Sequence, residues 1–442
     1  MIFRIYIPMS LFIKNYMRVF VFSVFVISSV PASCVFAETL NDAWDAVLAV
    51  DHRLLATRKM TESSQFALSA AQSARLPSLN IESAYTILNH TPTAVIDFPS
   101  ALVREMPVSE DNSLSYTTTA SLPLFTSGRI SSSIDAAGAS LNAAQQEETK
   151  TVLDIKLSVA DAYVASLRAR RGIEVAESAV SSLAAHAGDV NHFFEEGVVA
   201  KNDLLAAQVA LSDARQQAIR ARNTLDISHA SYNRLLHRPL DQEVLIDDVS
   251  VDASQPDIVD ATSRALSKRP ELASLSAQVK SLRLQAESIR SATGPQLALV
   301  GSYNYQQNKY QLYENIWSAT LGLTWDIFDG GVTRNNANAI MQKAESLSDV
   351  KSDTASIIML QVRQAWLDVM ETQTRITVTR EATQQAEENM RVVKDRYREG
   401  LGTNTEVLDA ETLRTKSYNN YYNAAYDAVM ANIRLQYATG EL

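Results

Sequence analysis

The chain contains two copies of one sequence pattern. The segment Phe125–Gly128 returns as Phe328–Gly331, and the segment Glu196–Ala207 returns as Glu399–Ala410, in both cases 203 positions later. The pattern that begins at Pro77 returns 218 positions later, so the first copy carries 15 additional residues. An internal repeat constrains a fold more strongly than local propensity does, and we therefore predict two copies of one structural unit.

Few residues in this chain interrupt a helix. The 442 residues include only 13 glycines and 11 prolines, which is about half of the usual share. The segments 128–196 and 331–399, at equivalent places in the two copies, contain no proline and are rich in alanine. Each is predicted to form one helix of about 100 Å. Such a helix buries little of its own surface, so we expect coiled-coil packing against partner helices.

Each copy is predicted to run helix, strand, strand, long helix, turn and helix. The first repeat spans residues 38–240, the second spans residues 257–442, and an irregular acidic linker at 241–256 joins them. The first helix of each copy is predicted to be continuous and to end before a proline, such as Pro77, because the residue before proline avoids helical geometry. The 15 additional residues are predicted to lie in the loop from Asn89 to Asn112.

The predicted strand from Trp317 to Phe328 has one apolar and one polar face. The apolar positions are Trp317, Ala319, Leu321, Leu323, Trp325 and Ile327, and the polar face carries Ser318, Thr320, Gly322, Thr324 and Asp326. The same alternation occurs 203 positions earlier, and aromatic residues lie toward the strand ends. This arrangement is typical of outer-membrane barrels. A soluble sheet packed on one face has the same period.

The N-terminus is typical of a secretory signal peptide, which is predicted at residues 1–37. Arg18 precedes an apolar run, residues 19–30, that is too short for a comfortable membrane span, and residues 35–37 form an acceptable cleavage site. Removing this segment, with its three basic residues, changes the formal charge from −10 to −13 and removes the only cysteine, Cys34. The alternative is a lipoprotein signal in which Cys34 is acylated.

Charge and motifs argue against two classes of function. An acidic mature chain disfavours a nucleic-acid partner. None of the six histidines pairs with another at the i, i+4 spacing of a helical metal site. A Gly-x-Ser-x-Gly motif, a phosphate loop and a dinucleotide fingerprint are also missing from the sequence. We therefore expect no enzymatic activity, no cofactor and no metal site.

The number of predicted strands indicates that several chains share one sheet. Each copy supplies two strands, so one chain has four, whereas membrane barrels have about eight or more. Strand edges cannot be left unpaired in lipid. Two chains would give eight strands and a lumen filled by side chains, and three chains would give twelve strands and room for a channel.

These features together resemble the outer-membrane efflux protein family, the TolC-like channel-tunnels. The resemblance rests on the duplicated strand-to-helix junction, the duplicated helix-turn-helix and the order of elements. It implies a mainly α-helical homotrimer with a small 12-stranded β-barrel in the lipid of the cell outer membrane, continuous with a long α-helical coiled-coil barrel in the periplasm. It also implies that a periplasmic adaptor protein and an inner-membrane pump are the partners of an efflux or type I secretion duct.

The resemblance assigns a role to the two turns that follow the long helices, here called the tip turns. Their residues are Gly197, Val198, Val199, Gly400, Leu401, Gly402 and Thr403. Gly197 and Gly400 are of the type that ends helices as C-cap glycines. The resemblance implies that the tip turns form the closed periplasmic entrance and contact the adaptor.

Family members often carry two acids three positions apart after the second tip turn, and the matching residues here are Glu406 and Asp409. Acids at i and i+3 lie on one helix face. A trimer would place six such carboxylates around one axis, which favours cations and can bind a blocking metal ion. The alternative is that Glu406 only complements the helix dipole. Asp203 is its counterpart in the first copy, but Ala206 replaces the second acid.

Some family members close the entrance with an arginine two residues after the tip glycine. The matching residue here is Gly402, so a closure of that type is incomplete in this chain. Tyr397 matches the aromatic residue of the same closure, and Asp203 matches a possible acceptor. Tyr397 is therefore a candidate gate contact.

The residues leave two classes of function open. One is a passive export duct that a partner pump drives. The other is a secreted coiled-coil structural protein or adhesin, whose strands pack without lipid. The continuous apolar face from Trp317 to Ile327 favours the duct, because contact with lipid requires such a face.

Overall fold

The structure, a computed structural model, describes residues 37–97, 103–249 and 257–442. The predicted signal peptide at 1–37, including Cys34, lies outside the described residues apart from Ala37, and so does the last part of the predicted linker. In chain order the elements are α1 (Leu40–Val50), α2 (His52–Ser73), β1 (Ser78–Ile87), β2 (Thr93–Asp97), β3 (Val103–Pro107), β4 (Asn112–Phe125), α3 (Arg129–Glu195), α4 (Lys201–Leu235), α5 (Ile258–Lys268), α6 (Pro270–Ser291), β5 (Gln296–Gln306), β6 (Asn315–Thr324), α7 (Val332–Arg398) and α8 (Asn404–Thr439).

The chain is mainly helical, and its two copies have matching long helices. The helices α3 and α7 contain 67 residues each, which confirms the prediction made from the proline-free segments. A glycine with positive φ precedes each of them, Gly128 and Gly331. After each long helix the chain turns and returns along it as α4 or α8. None of the helices in the described ranges has a stretch long and apolar enough to cross a membrane.

The helix that opens each copy is broken, so the prediction of a continuous helix was wrong. A single residue interrupts it, Asp51 in the first copy and Arg269 in the second. The Asp51 carboxylate accepts hydrogen bonds from the backbone N–H groups of Arg53 (2.7 Å) and Leu54 (3.3 Å), which caps α2. In the second copy Pro270 is the first residue of α6, where its missing N–H costs little, and it keeps the preceding residue out of helical geometry.

A four-stranded antiparallel sheet joins the two copies. Its order is β1-β4-β5-β6, so that β4 of the first copy pairs with β5 of the second, and each copy supplies two strands as predicted. The predicted apolar face of β6 is exposed in the single chain, with Trp317 at 76% and Leu323 at 66% exposure. On β1, Leu79 and Ile81 are similarly exposed. An apolar face of this extent indicates contact with lipid or another protein.

The additional residues of the first copy include an antiparallel pair of strands, here called the β2–β3 hairpin, which was not predicted from the sequence. Strands β2 and β3 pair antiparallel, with Thr93 opposite Pro107 and Val95 opposite Glu105. The hairpin lies within the predicted loop from Asn89 to Asn112, so the position of the insertion was correct, although its structure was missed. In the second copy the strands β5 and β6 are joined by a loop at residues 307–314 that contains no strand.

The largest buried cluster lies at the middle of α3. Tyr163 and Tyr232 are fully buried, and their rings meet edge to face with centroids 5.9 Å apart. The Tyr163 hydroxyl lies 2.8 Å from the carbonyl oxygen of Glu38 and 2.7 Å from that of Asp247. A parallel β-bridge joins Glu38 to Ile246 nearby. These contacts fix both the start of α1 and the linker against the long helix.

Candidate functional site at the paired tip turns

Both long helices end in the same hydrogen-bonded turn. At the end of α3 the N–H of Val198 donates to the Phe193 carbonyl (2.8 Å) and the N–H of Gly197 donates to the Phe194 carbonyl (3.0 Å). The φ angle of Gly197 is 75°. This pair of bonds is a Schellman motif, which satisfies helix carbonyls and needs a left-handed residue that glycine adopts without strain. The predicted C-cap role of Gly197 is confirmed.

The second copy repeats this turn. The N–H of Leu401 donates to the Arg396 carbonyl (2.9 Å) and the N–H of Gly400 donates to the Tyr397 carbonyl (3.1 Å), with a φ of 74° at Gly400. Gly402 differs from these glycines, because its φ is not positive. A Cβ atom there would lie 3.2 Å from the backbone nitrogen of Tyr397 and 3.2 Å from a Glu406 carboxylate oxygen. The turn therefore leaves little room for a side chain at this position.

Glu406 takes part in a capping box at the start of α8. Its Oε2 atom accepts from the N–H of Thr403 (3.2 Å), while the Thr403 hydroxyl accepts from the N–H of Glu406 (3.3 Å). The carboxylate therefore stabilises the start of α8 within one chain. This agrees with the alternative that Glu406 supports the helix start. Its exposed position leaves the constriction role open as well. Asp409, one turn further along α8, is exposed too, whereas Asp203 on α4 is half-buried.

An apolar cluster packs the two tip hairpins, α3–α4 and α7–α8, against each other. The first hairpin contributes Val190, Leu204 and Ala207, and the second contributes Met390, Tyr397, Val407 and Ala410. Val190 and Val407 are fully buried. Because residues from all four helices share this cluster, the two tip turns of one chain lie side by side.

Tyr397, the candidate gate contact, lies inside this cluster. It is only 5% exposed, and its ring centroid is 5.0 Å from that of His186 and 5.9 Å from that of Phe193. Its hydroxyl is buried and has no hydrogen-bond partner among the described residues. Burial, with smaller contributions from Asp203 and Asp189, raises the pKa of Tyr397. A contact with another chain would require this hydroxyl to reach the surface, so its gate role stays a prediction.

A buried polar side chain, Asn404, bonds to both helices of the other hairpin, and it was not predicted from the sequence. Asn404, the first residue of α8, donates from Nδ2 to the backbone carbonyl of Asp203 on α4 (3.1 Å). Its Oδ1 lies 2.8 Å from Nε2 of His186 on α3. His186 and Asn404 are 218 positions apart, and no local pattern pairs them. The only sequence signal is that Asn404 directly follows the second tip turn, whereas His186 lies eleven positions before Gly197.

The tip holds no metal-binding group within one chain. Across the described ranges, no three or more His, Cys, Asp or Glu side chains come close enough together to hold a metal ion. The predicted ring of Glu406 and Asp409 would require several chains, so it stays a prediction. Two contacts flank the tip: Nε2 of His192 lies 3.3 Å from a Glu196 carboxylate oxygen, and Arg398 forms an ion pair with Asp189 (3.5 Å) that crosses from α7 to α3.

Comparison with known sequences gives matches along nearly the whole described chain. The sequence model of the family described as "Outer membrane efflux protein" matches residues 44–236 and 261–441. The alkaline protease secretion protein AprF of Pseudomonas aeruginosa is 25% identical over 297 residues, which cover 65% of this chain and 62% of AprF. The outer membrane protein TolC of Vibrio cholerae is 23% identical over 429 residues, which cover 93% of this chain and 92% of TolC.

Comparison with solved structures shows the same fold. The crystal structure of the outer membrane protein VceC from Vibrio cholerae superposes with a TM-score of 0.76 at 17% identity, and the match covers 91% of this chain and 96% of VceC. At this level of identity the likeness concerns the fold alone. The fold of this chain is thus a known one.

Proposed function

Because the chain belongs to the outer membrane efflux protein family, we propose that it is the exit duct of a tripartite efflux or type I secretion system. The family consists of outer-membrane channels rather than enzymes, and this chain is accordingly an outer-membrane channel protein. The observation that carries the proposal is the family match across both copies of a strand and long-helix unit. The alternative, a secreted coiled-coil protein or adhesin, is not favoured.

The four-stranded sheet supports a barrel that several chains share. Its two outer strands, β1 and β6, each have one edge without a partner within the sheet. An open edge is not tolerated in lipid, because unpaired backbone groups have no water to bind. Three chains joined at these edges would close a barrel of twelve strands, wide enough for a channel. The exposed apolar face of β6 would then face lipid.

The helices support a coiled-coil tunnel below that barrel. A helix of 67 residues extends about 100 Å, which suits a duct across the periplasm. Large apolar side chains remain exposed on α7, including Leu360, Leu367 and Val378. In a trimer these would pack against helices of neighbouring chains. We infer that the tip turns form the entrance and the contact with a periplasmic adaptor protein, which connects the duct to an inner-membrane pump.

The first test is the size and the location of the native assembly. Inner and outer membranes would be separated, and the mass of the detergent-extracted protein would be measured by light scattering. We expect a trimer from the outer membrane. A soluble monomer or dimer would contradict the shared barrel and would favour the coiled-coil structural protein.

Removing the charges of Glu406 and Asp409 should weaken cation selectivity. The double variant Glu406→Gln, Asp409→Asn is the suitable one, because glutamine can still close the capping box with Thr403 while the six carboxylates of a trimer become neutral. We expect the affinity of a blocking trivalent cation to fall by about tenfold or more. Bilayer recordings at fixed ionic strength measure both the block and the permeability ratio.

The single variant Glu406→Gln separates the two roles of that residue. If Glu406 only stabilises α8, selectivity should not change in this variant. Unchanged selectivity in the double variant as well would remove both residues from the constriction.

A further inference from the structure

His186 is a buried titratable group that lies between the two tip hairpins. It is 1% exposed, although it belongs to a helix whose other faces carry many exposed polar side chains. Its Nε2 atom bonds to Asn404 of the second hairpin, and Asn404 in turn bonds to the carbonyl of Asp203. Asn404 is itself only 5% exposed. A single amide on α8 thus connects α3 and α4 of the first hairpin.

The hydrogen bonds fix the tautomer of the neutral His186 ring. The Asn404 amide donates from Nδ2 to the Asp203 carbonyl, so its oxygen faces the imidazole. Nε2 of His186 must then carry the hydrogen and donate, which leaves Nδ1 unprotonated in the neutral ring. Nδ1 is buried and has no hydrogen-bond partner among the described residues. A second proton would therefore be placed on a buried nitrogen without an acceptor.

The groups that surround His186 do not compensate the positive charge of a protonated ring. Around it lie Asp189 on α3, Lys394 and Tyr397 on α7, Asn404 on α8 and, next to Tyr397, Asp203 on α4. Burial lowers the pKa of His186, and this effect outweighs the opposing contributions of the Asn404 bond and of Asp189. Lys394 acts in the same direction as burial. The joined hairpins therefore favour a neutral imidazole.

We propose that the His186–Asn404 link holds the two tip hairpins of one chain together and that a protonated, positively charged His186 destabilises this buried site, so that the hairpins separate and the entrance opens more readily at acidic pH. This inference rests on the proposed function, since it assigns a role at the entrance of the proposed duct. The His186–Asn404 link also joins the hairpins in a chain in which Gly402 occupies the position that carries an arginine in some family members. His186 acts here as a positioning residue that works through Asn404.

The direction of the pH effect follows from the difference between the pKa of His186 in the joined hairpins and its pKa in the separated hairpins. In separated hairpins the imidazole is solvated and its pKa returns to about 6.5, whereas it is lower in the joined state. The separated state therefore binds the proton more readily. The joined state keeps its full stability relative to the separated state above about pH 6.5. It loses this stability as the pH falls below that value. Between pH 7.5 and 5.0 the equilibrium should shift toward separation by at most about 30-fold per chain.

The test is a pH series of single-channel recordings on the full chain in planar lipid bilayers. In the wild type we expect opening to become about tenfold more frequent between pH 7.5 and 5.0. In His186→Gln the side-chain amide still donates to Asn404 but does not titrate, so opening should stay rare at every pH. Asn404→Ala leaves the buried imidazole N–H without an acceptor and should open on the order of tenfold more often already at pH 7.5.

The matched control is His192→Gln, the same substitution on the same helix. His192 is exposed and pairs with Glu196, so this variant should keep the wild-type pH response. The proposal is overturned if His186→Gln keeps that response as well, or if Asn404→Ala behaves as the wild type at pH 7.5.

A second readout separates this inference from the proposed function. If no variant conducts, the duct proposal fails, and hydrogen exchange of the purified protein decides on the link. The measurement compares segments 197–206 and 400–410 at pH 7.5 and 5.0, after correction for the intrinsic pH dependence of exchange. Faster exchange at pH 5.0 in the wild type but not in His186→Gln supports the link, and equal behaviour of the two proteins overturns it.

Discussion

Replacing Tyr163 with alanine should lower the free energy of unfolding by about 3–5 kcal/mol, the usual cost of truncating a large buried ring. Tyr163 is fully buried, and its hydroxyl lies within hydrogen-bond distance of the carbonyls of Glu38 and Asp247. The variant therefore leaves a cavity at the middle of α3 and frees the linker that joins the two copies. Thermal unfolding of the detergent-purified protein should show a melting temperature about 5 °C lower.

Two further variants test the reason for this loss. Tyr163→Phe keeps the ring and removes only the hydroxyl, so it should cost about 1–3 kcal/mol. Tyr313→Ala removes a tyrosine that is 69% exposed and should change the free energy of unfolding by less than about 0.5 kcal/mol. Cleavage by Glu-C protease at Glu243 in the linker should be faster in both Tyr163 variants. An uncleaved linker in Tyr163→Ala would show that other contacts fix it.

Replacing Gly400 with valine should disrupt the second tip turn and with it the contact that we propose between this turn and a periplasmic adaptor. The φ angle at Gly400 is 74°, a region in which a β-branched residue is strained by roughly 1–3 kcal/mol. In a trimer this strain would occur three times around the entrance. We expect faster trypsin cleavage at Arg396 and Arg398, and loss of in-cell cross-linking between channel and adaptor.

The matched control at this position is Gly400→Asn, because asparagine tolerates the left-handed conformation better than other side chains. It should keep most of the wild-type cross-linking and protease resistance. Full cross-linking by Gly400→Val would place the adaptor contact away from this turn.

The parts of the fold that were predicted correctly are those that a single residue type or a simple repeating pattern decides. Absence of proline between 128 and 196 allowed one long helix, and α3 occupies that segment. A glycine followed by a polar helix start identified each tip turn, because only glycine adopts the left-handed C-cap conformation freely. Period-2 alternation likewise located β6, although the strand ends at Thr324, short of the predicted Phe328.

Other features depend on contacts that no local pattern records. Asp51 interrupts a helix because its carboxylate caps the next helix. An aspartate within a helical stretch does not by itself predict that one helix ends and another begins there. The hairpin β2–β3 was missed since its residues were counted only as an insertion. The link between His186 and Asn404 arises from packing of the two hairpins. The ring at Glu406 and Asp409 depends on other chains and stays a prediction.

The equal lengths of α3 and α7 restrict how such a chain can evolve. Both contain 67 residues, and both must bring their tips to the same level to share the apolar cluster. One residue inserted in only one of them would shift its tip by about 1.5 Å and rotate it by about 100°. Insertions and deletions that preserve the shared apolar cluster would therefore have to occur in matched sets. Seven residues added at equivalent positions of α3, α4, α7 and α8 would lengthen the helices by about 10 Å while the tips keep their register.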